Sequence, residues 1–196
     1  MSGLLALSRA IDAVNHRVFR LVMWLILICT LVSAGNAIVR YLFNISSNAW
    51  LELQWYLFSA VFLFAAAYTL QQNEMVRIDV IAGRLSRRTQ AWIDVLGTLL
   101  FLLPMALMIL YLSWPVFVQA YERGEMSTNA GGLIVWPARL LVPIGFLLLS
   151  LQGVSQLIKN IAFLTGAGPD PTVKEQQKSA EELLAEEILK SRGEQA

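Results

Sequence analysis

"LVMWLILICTLVSAGNAIV", Leu21 to Val39, is a run of 19 residues without one charge. At about 1.5 Å of rise per helical residue, roughly 20 residues cross a hydrocarbon core about 30 Å thick. Three more uncharged runs follow: Leu53–Asn73 (21 residues), Val95–Tyr121 (27) and Leu140–Ile158 (19). Each is long enough to span a bilayer, and the third has length to spare, so it must tilt, bend or reach past the hydrocarbon. Of the 196 residues, 57% are hydrophobic and 15% are charged, whereas soluble domains carry about a quarter charged. The pattern predicts an all-α membrane protein with four transmembrane helices. Spans are expected at about 17–40, 50–73, 94–121 and 137–160, inside a membrane domain of residues 1–166. The first run is too long, and starts too far from the N-terminus, for a cleaved signal peptide.

Arginine and lysine counts set the expected orientation. One side receives Arg9, Arg17 and Arg20, then Arg77, Arg84, Arg87 and Arg88, then the five cations that follow the fourth run. The other side receives only Arg40, Arg123 and Arg139. By the positive-inside rule both termini are cytoplasmic. The connection "EMVRIDVIAGRLSRRTQAWID" (Glu74–Asp94) sets Ile78, Ile81, Leu85 and Trp92 near one helical face. Such an amphipathic segment lies in the headgroup plane, with Arg84, Arg87 and Arg88 as candidate contacts to lipid phosphates. After "TGAGPDPT" the composition turns charged. Residues 167–196 read as a cytoplasmic tail, a linker followed by a short or frayed helix.

Polar residues inside or beside the runs are the candidates for specific work. Arg40 and Glu52 fall at the non-cytoplasmic interface, between the first two spans, in company with Trp50, Trp55 and Tyr56. A carboxylate in the first turn of a helix sits well in the helix dipole, and the aromatic rings suit the headgroup depth. Pairing of Arg40 with Glu52 is left open. Ser33 and Ala37, four apart, with Asn36 between them, allow close helix approach, as does Ser59 in the second run. Pro104 and Pro115 should kink the long third span. Asn44-Ile45-Ser46 matches a glycosylation sequon.

Several function classes find no support. A formal net charge of +1 offers no basic field for nucleic acid. No ionisable residue falls within any uncharged run, so proton relays and ion paths lack their usual groups. His16 is the sole histidine and precedes the first run, which excludes an intramembrane bis-histidine haem. Catalytic, metal and cofactor motifs are not found. The reading is a non-catalytic membrane subunit. The alternative is a self-sufficient four-helix exporter acting as a homodimer, with a membrane enzyme or haem anchor third.

Three blocks, taken in order between the four runs, carry a resemblance. They are "NAIVRYLFNISSNAWLELQWYLF" (Asn36–Phe58), "VRIDV" (Val76–Val80) and "STNAGGLIVWPARLLVPIGFLLLSLQG" (Ser127–Gly153). Over roughly residues 15 to 166 the chain resembles the small membrane subunit of tripartite ATP-independent periplasmic (TRAP) transporters. Its third block is most similar to the branch associated with mannitol, chloroaromatic or 2-oxo-acid uptake. Met75 stands where many relatives carry histidine. The resemblance implies a large permease subunit, on a separate chain, that holds the sodium and solute sites and moves as an elevator. It also implies a periplasmic substrate-binding protein, a bacterial inner-membrane location, and a scaffold role here. Arg40, Trp50, Glu52, Trp136 and Arg139 would then lie at the periplasmic face, near those partners.

Overall fold

A computed structural model describes residues 2–44, 47–74 and 85–169. Arg84, most of the amphipathic connection, two sequon residues and the charged tail lie outside the described residues. The described residues form four helices long and apolar enough to cross a membrane, and no strand. Helix α1 is Ser2–Phe43 and α2 is Asn48–Gln71. Helix α3 (Arg87–Gly97) passes through a π-helical turn, Thr98–Leu102, into α4 (Leu103–Glu122). Helix α5 is Trp136–Leu164.

The uncharged runs lie in these helices, except for Gln72 and Asn73 just past the end of α2, yet α1 is far longer than its run. Its 42 residues extend about 63 Å. Arg9, Arg17 and Arg20 do not interrupt it, because charge alone does not break a helix whereas proline and missing backbone partners do. Asn44 (φ 53°) closes α1 and Asn73 (φ 56°) closes α2, each in the left-handed region that asparagine tolerates. After Asn73, the Glu74 N–H returns to the Thr69 carbonyl at 3.1 Å, a hydrogen bond of the Schellman type.

Where a kink is expected at Pro104, the structure has a π-helical turn just before it. Proline has no N–H, so the Leu100 carbonyl loses its usual partner. The backbone widens just before it, and the Leu103 N–H bonds the Thr98 carbonyl, five residues back. Such a π-bulge redirects a helix without ending it. The result is one continuous element of 36 residues, Arg87–Glu122. Pro115 also sits inside α4, and nearby the Ser113 hydroxyl donates to the Leu110 carbonyl at 3.2 Å.

Helix α5 is the hub, touching α1, α2, α3, the π turn and α4. Small residues make that possible, since membrane helices gain little from burying apolar surface and must gain it from close contact. A Cβ on Gly145 would lie 2.8 Å from the Leu63 Cβ and 3.3 Å from its carbonyl oxygen. Small residues are buried on the neighbouring helices as well, Ala60 and Ala67 on α2 and Ala106 and Ala120 on α4. The bundle therefore has two ends, a hairpin end with the α1–α2 turn and the α4–α5 loop, and a terminal end with Ser2 and Leu164.

Candidate functional site

At the hairpin end α2 presents Asn48, Glu52 and Tyr56, four residues apart and so on one face. All three bond the loop between α4 and α5. The Asn48 amide donates to the Ala130 carbonyl (2.9 Å) and the Tyr56 hydroxyl to the Ile134 carbonyl (3.2 Å). Glu52 is the centre. Only 3% exposed, it accepts from the Ser127 hydroxyl, from the Asn129 amide at 2.9 Å and from the Leu133 backbone N–H at 2.6 Å. A carboxylate is an acceptor only, and each neighbour here is a donor. The charge-assisted bonds account for its burial.

The loop is shaped for this grip. Gly124 (φ 57°) ends α4, with the Glu125 N–H returning to the Ala120 carbonyl at 3.1 Å. A short antiparallel ribbon follows, in which Met126 bridges Ile134. The Ser127 N–H donates to the Leu133 carbonyl and the Val135 N–H to the Glu125 carbonyl, both at 2.9 Å. Across its base Arg139 and Glu125 pair at 2.7 Å. Within the turn Gly132 lies against the carboxylate itself. Any Cβ there would stand 2.7 and 2.8 Å from the two Glu52 oxygens and 2.6 Å from the Ser127 Cβ. Only glycine leaves room for the Leu133 N–H to reach its acceptor.

A second polar cluster joins α1 to α5 at the terminal end. Lys159 pairs with Asp12 at 2.5 Å, through Oδ2. The other Asp12 oxygen accepts from the Ser155 hydroxyl (2.9 Å) and the Gln152 amide (3.0 Å). Gln152 Oε1 accepts from Asn15 at 2.6 Å, and the hydroxyls of Ser8 and Ser155 lie 2.7 Å apart. Ser8, Asp12 and Asn15 step along α1 while Ser155 and Gln152 step back along α5, as antiparallel neighbours should. Hydrogen bonds of this kind hold helices together where hydrophobic burial cannot. Beyond the cluster Arg88 reaches the carbonyl of Leu164, the last residue of α5, at 3.4 Å.

The residues singled out in the sequence divide between these surroundings. Glu52 and Arg139 enter the hairpin-end network. Arg40 does not, being exposed near the end of α1; the question of its pairing with Glu52 is answered by Ser127, Asn129 and Leu133. Trp136 packs edge-on against Tyr121, with ring centroids 5.6 Å apart. Trp50 and Trp55 are exposed, and Trp50 also walls a groove with Leu31, Val39 and half-buried Asn36. Ser33 is half-buried and Ala37 exposed. Ser59 is half-buried, and the buried pair on α2 lies one residue along, at Ala60 and Ala67. Arg87 bonds Gln90 at 3.4 Å.

Sequence reasoning missed Ser127, Asn129 and Gly132 as a unit, although "STNAGG" is turn chemistry by composition. It also missed the Asp12 cluster. A signal existed there: polar residues spaced three and four apart on both α1 and α5.

One buried carboxylate at the hairpin end and one part-buried ion pair at the terminal end tie the helices of an apolar bundle together. No curated protein and no solved structure matches the chain. One family model does, that of the "Tripartite ATP-independent periplasmic transporters, DctQ component", over residues 28–163. That stretch takes in Glu52, its loop and nearly all of α5. It covers well over half of the chain, which therefore belongs to the DctQ component family and is a small membrane subunit of a TRAP transporter.

Proposed function

We propose that this chain is the non-catalytic scaffold of a sodium-coupled TRAP system for organic acids in a bacterial inner membrane. The large permease subunit, a separate elevator-type chain, carries the ion and solute sites. This subunit holds it laterally, with both termini in the cytoplasm. The Glu52 loop then faces the periplasm, where a substrate-binding protein delivers solute, and the Arg87–Arg88 end contacts cytoplasmic headgroups. Arg40, Trp50 and Trp55 anchor the periplasmic interface.

Glu52 carries this reading. Among the described residues it is the only charged side chain that is buried, and its oxygens are occupied by three donors of its own chain. A coupling site needs a carboxylate that can exchange protons, ions or solute; this one is committed to structure. The test is uptake by proteoliposomes containing the large subunit and supplied with binding protein, with and without this chain. Uptake should fall to background without it. Undiminished uptake in its absence would refute the scaffold role, and sodium-driven flux through liposomes holding this chain alone would refute the non-catalytic one.

A further inference from the structure

Arg17 and Arg20 are exposed on α1, and neither has an ion-pair partner among the described residues. Their neighbours reveal how deep they stand. Phe19 stacks on Tyr68 of α2 with centroids 3.8 Å apart, and His16 lies 5.7 Å from the same ring. Tyr68 belongs to the uncharged run Leu53–Asn73, and Gln152, which binds Asn15, belongs to the run Leu140–Ile158. The Asp12–Lys159 pair and Arg88 sit nearer the terminal end. Arg17 and Arg20 therefore stand roughly 8 and 12 Å further along α1 than Asp12, towards the bundle's middle. Tyr68 lies in the last turn of α2, so both arginines stand level with the end of an uncharged run, where an exposed guanidinium meets the headgroup layer and an anion can receive it.

The same face supplies the rest of a site. Asp12 points away, its oxygens held by α5. Arg9 and His16 are exposed on the stripe that runs to Arg20. Immediately past the arginines, Leu21 and Trp24 are 69% and 67% exposed. Charge first and apolar surface next is the order of a headgroup and its acyl chains. Two guanidiniums one turn apart suit a phosphate, which accepts their planar donor forks.

We infer that this face of α1 binds an anionic phospholipid, its phosphate between Arg17 and Arg20 and its chains along Leu21 and Trp24. The site is independent of the transport role. A carboxylate-bearing partner helix is the other candidate for this surface, and the test separates the two.

The test is native mass spectrometry of the full chain, exchanged against phosphatidylglycerol and phosphatidylcholine of matched chains. Retention should favour phosphatidylglycerol by roughly tenfold or more, from two arginines near a headgroup. Arg17→Gln with Arg20→Gln should remove most of that preference, and Arg17→Lys with Arg20→Lys should keep part of it. If the double glutamine variant fails to fold, Arg20→Gln alone should halve the preference or better. Equal retention of both lipids by the wild-type chain would overturn the site, as would an undiminished preference in the glutamine variants. Displacement of the lipid by inorganic phosphate alone would reduce it to a simple anion site. Loss of co-purification with the large subunit, with lipid preference intact, would assign the arginines to a protein carboxylate instead.

Discussion

Glu52 is a glutamate that its own neighbourhood does not explain. Its position early in α2, beside Trp50 and Trp55, predicts an interfacial anchor. Its bonding partners lie 75 to 81 residues further along the chain. Local pattern can place a residue at a helix end, but it cannot see which distant loop folds over it. Two substitutions probe the grip. Glu52→Gln turns one oxygen into a donor facing donors, so the loop should loosen; limited proteolysis within residues 123–135 should quicken relative to wild type. Gly132→Ala forces a Cβ against the same carboxylate. It should cost about 1–3 kcal/mol, the usual range for overpacking, read as a lower unfolding midpoint in detergent.

Among the elements, the uncharged runs locate every spanning helix, because twenty residues of uninterrupted hydrocarbon character leave little choice of structure. Helix ends are less legible. Helix α1 runs to Ser2 because nothing in "SGLLALSRAIDAVNHRVFR" removes a backbone donor, and the π turn before Pro104 is a backbone answer that residue types alone do not dictate. The contacts between elements give a paired prediction. Gly145→Ala drives a methyl against the Leu63 Cβ and backbone and should destabilise by about 1–3 kcal/mol. Gly153→Ala meets chiefly the flexible Leu102 side chain, at 2.8 Å from its Cδ2, and should cost distinctly less. Equal melting shifts for the two would contradict the observed helix spacing. At the terminal end, Asp12→Ala strands the donors of Lys159, Ser155 and Gln152. A loss of about 1–3 kcal/mol follows from leaving such groups unpaired, measurable by thermal unfolding.

For the molecule as a whole, class and family follow from composition and ordered motifs, since both are properties of long stretches. The polar clusters do not, since each joins residues brought together only by the antiparallel packing of helices on α5. That packing makes a further prediction. Amides in the middle of α5, which every other helix contacts, should exchange hydrogen most slowly in micelles, and those near Arg40, beyond the start of α2, fastest. The ladder of Asn48, Glu52 and Tyr56 has a mechanical corollary. The α4–α5 loop is tied to α2 at three consecutive turns and to the start of α5 through Arg139. A push or pull on that loop is therefore transmitted to those two helices as one lever, and α1 follows only through its packing on α2 and its Asp12 pair with Lys159.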